Sequence, residues 1–369
     1  MSTEKKRKTL FHVVQHLAPG GLETLVLDMV KVCSAEHEVY IVSLEGNKQD
    51  AVMRWPKLRK YARQCVFLDK TQDGADWHAL VHLVRLFKQF KPDVVHTHHI
   101  GPLLYGGLAA RLTGVRCRIH TEHDGWHLSQ HKNAWLQAAA LNVINPILVA
   151  DATEVKISIQ RHLHRENIVT IKNGIDCDYF VPGNMHTARE QLGLPLDRRI
   201  VGCAGRLEHV KGQEWLIRAM PHLPEDVHLV IAGNGSHRQS LESLVFTLKL
   251  TKRVTFLGLC NHMPQFYQSL DLFCLPSLNE GFPLSTLEAQ ACNVPVVATS
   301  VGGTHETLCP HLSRLCPPRD EHALALELRE LLQLDKSSYP NSLRDYVVRH
   351  HNIRHVVEQY HQLTLGVLL

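Results

Sequence analysis

Short apolar runs rich in β-branched residues alternate with helical stretches along nearly the whole chain, and no other feature restricts the fold as strongly. In the first half the runs are LFHVVQHL (10–17), EVYIVSL (38–44), CVFLD (65–69), DVVHTHH (93–99), RCRIHTEH (116–123), ILVAD (147–151) and IVTIKNG (168–174). Helical stretches lie between them, around 21–33, 76–90 and 102–112. Near-continuous apolar strands separated by helices indicate parallel sheets covered on both faces. After NGIDCDYFVPG the rhythm pauses through a polar stretch with Pro and Gly to about residue 198. It restarts with RIVGCAG (199–205), VHLVIAG (227–233), RVTFLG (253–258), LFCLPS (272–277) and PVVATS (295–300). The expected fold class is therefore α/β with two successive parallel sheets. The expected domains are 1–175 and 176–340, with 341–369 a helical tail packing back on the first domain.

A chain of 369 residues is long enough for two such domains, each burying its own core. The formal charge, 40 − 36 = +4 with His neutral, is too mild for a phosphate-tracking surface, so no nucleic-acid partner is expected. Ten Cys are scattered without a CxxC pair, and several fall in buried-strand runs, such as Cys203 and Cys274. They read as reduced, structural thiols of the cytosol. The start MSTEKKRKTLFHVV has no long apolar segment after its charges, and no run reaches the length of a membrane span. The cluster Lys5, Lys6, Arg7, Lys8 reads as a solvated tail rather than a lipid contact. The expected location is cytoplasmic.

In open parallel sheets, ligands bind beyond the carboxyl ends of the strands, so the residues that follow each strand matter most. After RIVGCAG come Arg206 and, shortly before a helix near Gln213, Lys211. Together an Arg and a Lys can neutralise a diphosphate, although two loop cations are equally often solvated surface. In PSLNEGFPLSTLEAQ (276–290) a strand runs into a loop carrying Glu280, Gly281 and Phe282, and Pro283 suits the first turn of a helix. The N–H groups of that helix around Leu284 to Thr286, with its positive dipole end, would accept phosphate oxygens. Leu284, Leu287 and Ala291 form the stripe expected to face the sheet. Glu288 lies on or beside that stripe and needs a partner, either a ribose diol or a nearby cation. Glu280 is placed to accept hydrogen bonds from sugar hydroxyls.

The ordered set GRLEHVKG, LVIAGNG, VTFLG and NEGFPLSTLEAQACNVPVVATSVGGTHE resembles the retaining glycosyltransferases of family 4, which have the GT-B fold: two Rossmann-like domains with parallel sheets facing an interdomain cleft. Glu280 and Glu288 match that family's paired-Glu motif. The resemblance implies that Arg206 and Lys211 bind the diphosphate of a nucleotide-sugar donor and that Glu288 holds the ribose. Glu280 and the backbone from Gly281 through Phe282 and Pro283 to Leu284 would contact the transferred sugar, and Gly258 with the loop to Met263 would flank the base. In the first half, APGGLE follows the first strand, and Gly20 and Gly21 match the turn that lies against the donor phosphates.

HTEHDGWH places His120, His123 and His127 within eight residues. The spacings do not reproduce HExxH, so zinc is not the expected reading. His123 matches the family's T-x-H motif, which places a His against the donor sugar, where it would hydrogen-bond a hydroxyl. His96, His98 and His99 end the preceding strand and are expected to line the cleft. Asp176 and Asp178 mimic a metal-binding DxD pair but belong to NGIDCDYF, a structural connection in the resembling family; no metal and no cofactor are expected.

The resemblance thus implies a hexosyltransferase that moves a sugar from a UDP- or GDP-type donor to a carbohydrate or lipid-linked saccharide, with retention, in cell-surface polysaccharide synthesis. Its catalytic set would be His123, Glu280, Arg206 and Lys211. A lipid-linked acceptor would bring the first domain to the inner membrane face, with 126–145 as the candidate surface. The rival readings are another enzyme on this architecture, such as a nucleotide-sugar epimerase or a phosphorylase, and a non-catalytic nucleotide-sugar binder. Acceptor-dependent release of nucleoside diphosphate separates transfer from both.

Overall fold

The computed structural model describes residues 7–70, 76–334 and 341–368. Lys5 and Lys6 of the basic cluster, and the expected boundary at 340, lie outside the described residues. The chain forms two compact units, Met1–Asn173 with Ile353–Leu369, and Gly174–Asn352. The changeover at Asn173/Gly174 falls inside the NGIDCDYF run. The tail divides as well. Its helix Ser342–His350 stays with the second unit, and only Ile353–Leu368 joins the first.

The first unit holds β1 (Thr9–Val14), β2 (Glu38–Ser43), β3 (Cys65–Phe67), β4 (Val94–His98), β5 (Cys117–Glu122), β6 (Ile147–Ala150) and β7 (Val169–Thr170). They form one seven-stranded sheet in the order β3-β2-β1-β4-β5-β6-β7, parallel throughout. The order reverses between β1 and β4, the crevice where such sheets hold ligands. Side chains alternate across the sheet. Phe11 and Val13 pack with Leu83 and Phe87 of the helix Trp77–Phe90, whereas Val14 and Ile41 pack with Val26, Leu27 and Val30 of Gly21–Cys33. Both faces are covered, which is why these strands carry so few polar residues. Several of the polar exceptions, His12, His96, His98, His120 and Glu122, are nevertheless buried.

The second unit holds β8 (Arg199–Ala204), β9 (Val227–Ala232), β10 (Val254–Gly258), β11 (Leu272–Leu275), β12 (Val296–Thr299) and β13 (Ser313–Cys316). Their order is β10-β9-β8-β11-β12-β13, again all parallel. Val201, Leu216, Leu229, Ile231, Leu272 and Leu328 belong to one buried cluster. The edge strand β13 is not evident from SRLC, where Ser and Arg break the apolar run. It forms because Val296 to Thr299 of β12 offer a ladder for it to complete.

All ten cysteines are free thiols, eight of them buried. Burial pushes the Cys203 thiol up to about 12, so it is an inert core group at neutral pH.

Candidate active site

In the second unit, the carboxyl ends of β8 and β11 bring the expected donor residues together. The β8 strand ends at Ala204, and Gly205, Arg206 and Leu207 lead into the turn His209–Lys211. The chain then passes Gly212 at φ +63, where a Cβ would lie 2.1 Å from the Pro276 carbonyl oxygen. Only glycine permits that approach, and it seats Lys211 against the loop that follows β11. Lys211 Nζ lies 2.6 Å from Glu280 Oε1, which also accepts from Ser277 Oγ at 2.6 Å. Arg206 is exposed at the mouth of the same loop, and its carbonyl accepts from Gln213 Nε2 at 2.9 Å.

Glycine acts in the same way on the other side of Glu280. Gly302 has φ +49, and a Cβ there would stand 1.8 Å from the Glu280 carbonyl oxygen. Next to it, the Gly303 amide donates to the Gly281 carbonyl at 3.0 Å. Glu280 is thus clamped between two glycine turns.

The helix Leu284–Ala291 starts after Pro283, with no side chain capping its amino end. Its first N–H groups are therefore available to an anion. Leu284, Leu287 and Ala291 are buried, as the stripe requires. Glu288 is half-buried at its edge, and the partner the structure gives it is a hydroxyl: Tyr267 Oη donates to Glu288 Oε2 at 2.6 Å. Burial and the Glu288 charge hold the Tyr267 phenol well above its ordinary range, so it stays a donor. Tyr267 was not evident from sequence. It lies 21 residues before Glu288, in a helix preceding β11, and no local pattern marks it.

The structure also places the other residues expected on the donor side. Gly258 closes β10 at φ +70, and its carbonyl accepts from the Gly233 amide at 2.7 Å. Phe282 is buried, with its ring 5.6 Å from that of His351. In the first unit, Gly20 precedes the helix Gly21–Cys33, and a Cβ there would meet the Glu23 carboxylate at 2.2 Å. That carboxylate is buried and lies 3.4 Å from His16.

Asp176 and Asp178 do not form a paired metal ligand set. Asp176 Oδ1 accepts the amides of Asp178 and Tyr179 at 3.0 and 3.2 Å, a turn-forming role. Arg344 fastens the same segment to the helix Leu284–Ala291, donating to the carbonyls of Cys177, Phe180 and Ala291.

The first unit gathers its polar groups at the carboxyl ends of β4, β5 and β6. The three histidines of HTEHDGWH separate: His120 Nδ1 pairs with Thr97 Oγ1 at 3.0 Å, and His127 pairs with Asp124 and Gln137 at 2.9 and 2.8 Å. Burial opposes charge on His127, but the Asp124 bond and the Glu122 field outweigh it and lift the ring to about 9. His123 is bonded at both nitrogens, Nδ1 to Asp151 Oδ2 at 3.0 Å and Nε2 to His98 Nδ1 at 3.0 Å. Neither is free, so the hydroxyl contact read from the T-x-H motif would require one of these bonds to open. Asp151, the last residue of the ILVAD run, had no assigned role. Its Oδ2 also accepts from Asn173 at 2.7 Å, and its buried Oδ1 has no partner among the described residues.

His99, directly after β4, holds φ +67 and ψ +169, a region nearly reserved for glycine. Its ring lies 3.5 Å from Glu122 Oε1 and 3.8 Å from Asp124 Oδ2. Burial works against its charge, yet the Glu122 bond and the nearby carboxylates hold it above the ordinary range. His12, His96 and His98 present ring nitrogens within 4.8 Å of one another, as do Glu122, Asp124 and His127 their ligand-type atoms. Both groups are hydrogen-bonded internally, through His12 to His98 and His127 to Asp124. The centroids of His96 and His98 are only 4.1 Å apart, a side-by-side packing rather than a radial one.

Comparison with known proteins identifies the family. Residues 184–347 match the model for glycosyl transferases group 1, and residues 19–179 match that for glycosyltransferase family 4. A UDP-Gal:α-D-GlcNAc-diphosphoundecaprenol α-1,3-galactosyltransferase of Escherichia coli is 31% identical over 245 residues, 62% of this chain and 63% of that protein. A D-inositol 3-phosphate glycosyltransferase of Mycolicibacterium gilvum is 34% identical over 277 residues, 69% of this chain and 62% of that protein. The chain thus spans less than two thirds of the length of these relatives. Among solved structures, HepE of Anabaena, determined with UDP and glucose, superposes with a TM-score of 0.85 at 20% identity, covering 98% of this chain and all of that one. Sucrose-phosphate synthase of Thermosynechococcus elongatus gives 0.82 at 23%, covering 98% and 99%. At these identities the likeness establishes the fold, two Rossmann-like α/β units of GT-B type. With family matches across both units and the paired glutamates in place, the chain belongs to the family 4 glycosyltransferases, the group 1 type.

Proposed function

We propose that this protein transfers a hexose from a nucleotide-sugar donor, of UDP or GDP type, to a carbohydrate or lipid-linked saccharide. The observation that carries this reading is the Lys211–Glu280 pair at 2.6 Å, beside Arg206 and the uncapped helix at Leu284. Cleavage of the anomeric carbon–oxygen bond leaves negative charge on the diphosphate. Arg206, Lys211 and the helix amino end stabilise it, and removing one such donor costs a factor of roughly 10² to 10³ in rate. Lys211 would exchange its carboxylate partner for phosphate, releasing Glu280 to accept from sugar hydroxyls. Glu288, oriented by Tyr267, would take the ribose diol. The relatives named for a diphosphoundecaprenol saccharide and for inositol 3-phosphate support a polar or lipid-linked acceptor. The family resemblance supports reading the transfer as retaining and as part of cell-surface polysaccharide synthesis.

These positive groups can do the charge compensation a metal would supply, and Asp176 Oδ1 is committed to a turn. We therefore read the reaction as metal-independent. The experiment is acceptor-dependent release of nucleoside diphosphate across UDP- and GDP-sugars, with and without EDTA. Release that needs no acceptor, or none with any donor, overturns transfer. Complete loss in EDTA restored by a divalent ion overturns metal independence.

The peripheral membrane reading rests on the first unit. Its helix His131–Ile144 contains no acidic residue, carries Lys132, and exposes Trp135 at 73% and Val143 at 59%, with Trp126 just before it at 47%. An apolar and basic face of this kind suits the interface of an anionic bilayer. Flotation with phosphatidylglycerol vesicles should recover the protein and lose it on Trp135→Glu; equal recovery of both sinks this surface.

A further inference from the structure

The buried polar chain behind His123 is longer than its family motif. Asn173 Nδ2 donates to Asp151 Oδ2 at 2.7 Å, and His123 Nδ1 meets that same oxygen at 3.0 Å. His123 Nε2 meets His98 Nδ1 at 3.0 Å, and His98 Nε2 meets His12 Nδ1 at 3.2 Å. These five residues come from β1, the ends of β4, β5 and β6, and the segment after β7, and none exceeds 9% exposure. We infer that His12, His98 and Asp151 form a tautomer relay that holds His123 as a neutral Nδ1–H imidazole without a free ring nitrogen. They are positioning residues for the transfer reaction, and that role rests on the function proposed above.

Proton counting gives the direction. A neutral imidazole has one N–H and one lone pair. Asp151 Oδ2 accepts from Asn173 and is an acceptor toward His123, so His123 Nδ1 donates and its Nε2 accepts. His98 must then donate from Nδ1 and accept at Nε2, and His12 must donate from Nδ1. The chain ends on the lone pair of His12 Nε2. That atom is buried and has no partner among the described residues. His12 is among the residues that line a cavity of about 170 Å³ between the helices Gly21–Cys33 and Ile353–Leu368. One end of the chain is thus anchored on Asp151, and the other is a buried lone pair.

Surrounding groups keep extra protons off the relay. Burial lowers His12 to about 4, and burial with its histidine neighbours holds His98 well below the ordinary range. On the strand side the facing ionisable groups are His96 of β4, His99 just after it, Glu122 of β5 and Asp124. Across the cavity stand Lys8, Glu36 and His37 on one wall, and Arg354, Glu358, Tyr360 and His361 on the other. Burial holds the Asp151 carboxyl above its ordinary range, against the opposing His123 bond and His99 charge. The outcome is a His123 ring of fixed orientation with Asp151 behind it.

The test uses the full chain labelled with nitrogen-15 histidine, with resonances assigned by single His→Gln variants. His12, His98 and His123 should all show the Nδ1–H tautomer, and His12 and His98 should show no titration between about pH 5.5 and 8.5. An Nε2–H tautomer at any of them, or a midpoint near 6.5 at His12 or His98, overturns the relay. In a second arm, His98→Leu removes the donor to His123 Nε2 and frees that lone pair to take a proton. The kcat profile should then gain an acid limb near pH 6.5, losing about tenfold one unit below it, with donor KM unchanged. His98→Gln, which keeps a donor, should track the wild type. A His98→Leu profile that superposes on wild type overturns the positioning role. Should the wild type transfer no sugar, the proposed function fails while the tautomer measurement still decides the relay.

Discussion

At the residue scale, the clustering of Lys211 with Glu280 at the ends of β8 and β11 was legible because it depends on residue types in a fixed local order. Arg206, Lys211, Glu280 and Glu288 each stand within a few residues of a strand end or a helix start, where backbone geometry limits what they can reach. Lys211→Ala should lower kcat by roughly 10² to 10³ while the unfolding transition stays near that of the wild type. Single-turnover rates with saturating donor would check it, and wild-type turnover would remove Lys211 from the site. Partners supplied by distant chain were not legible. Tyr267 reaches Glu288 only because the helix before β11 packs beside the one after it. Tyr267→Phe should leave the carboxylate in place without that donor, weakening donor binding about fivefold to tenfold, the worth of a hydrogen bond to a charged group. Calorimetric titration with the nucleoside diphosphate reads this directly, and unchanged affinity would make Tyr267 a packing residue only.

At the scale of elements, apolar periodicity located twelve of the strands and the helices Gly21–Cys33 and Trp77–Phe90 to within a few residues. Buried parallel strands and amphipathic helices carry that signal in their own side chains. β13 escaped because an edge strand is held by its neighbour's ladder rather than by its own burial. The loops between elements are tied by glycines whose reason is a facing carbonyl. Gly302→Ala must accommodate a left-handed φ and a Cβ 1.8 Å from the Glu280 oxygen. It should destabilise the second unit by about 2 kcal/mol and reduce transfer more than tenfold as Glu280 moves. A urea midpoint and a kcat equal to wild type would show that the turn relaxes freely.

At the scale of the molecule, buried neutral histidines tie stability to pH. A folded pKa of about 4 for His12 and for His228 lies below the unfolded value near 6.5. Their contribution is complete above pH 6.5 and is lost as the unfolded chain gains protons on acidification toward pH 4. For His12 alone that amounts to about 2 kcal/mol between pH 6.5 and 5, and His96 and His98 act in the same direction. His127 has the opposite sign: raised to about 9, its contribution is present below pH 6.5 and lost as pH rises toward 9. The thermal midpoint should therefore fall steeply below pH 6.5 and gently above pH 7. A midpoint flat from pH 7 to 4.5 would mean that these rings are not buried neutral.

The alternation of strand and helix, the two-sheet α/β class and the donor-side motifs were written in the order of residues, because each follows from local backbone preference and burial within one element. The division of the tail that leaves Ser342–His350 with the second unit, the Tyr267 support of Glu288 and the histidine chain from Asp151 to His12 were decided by tertiary structure alone. Each joins residues remote in sequence across packed strands or helices, and no local pattern encodes which distant side chain will fill a given hydrogen-bonding position.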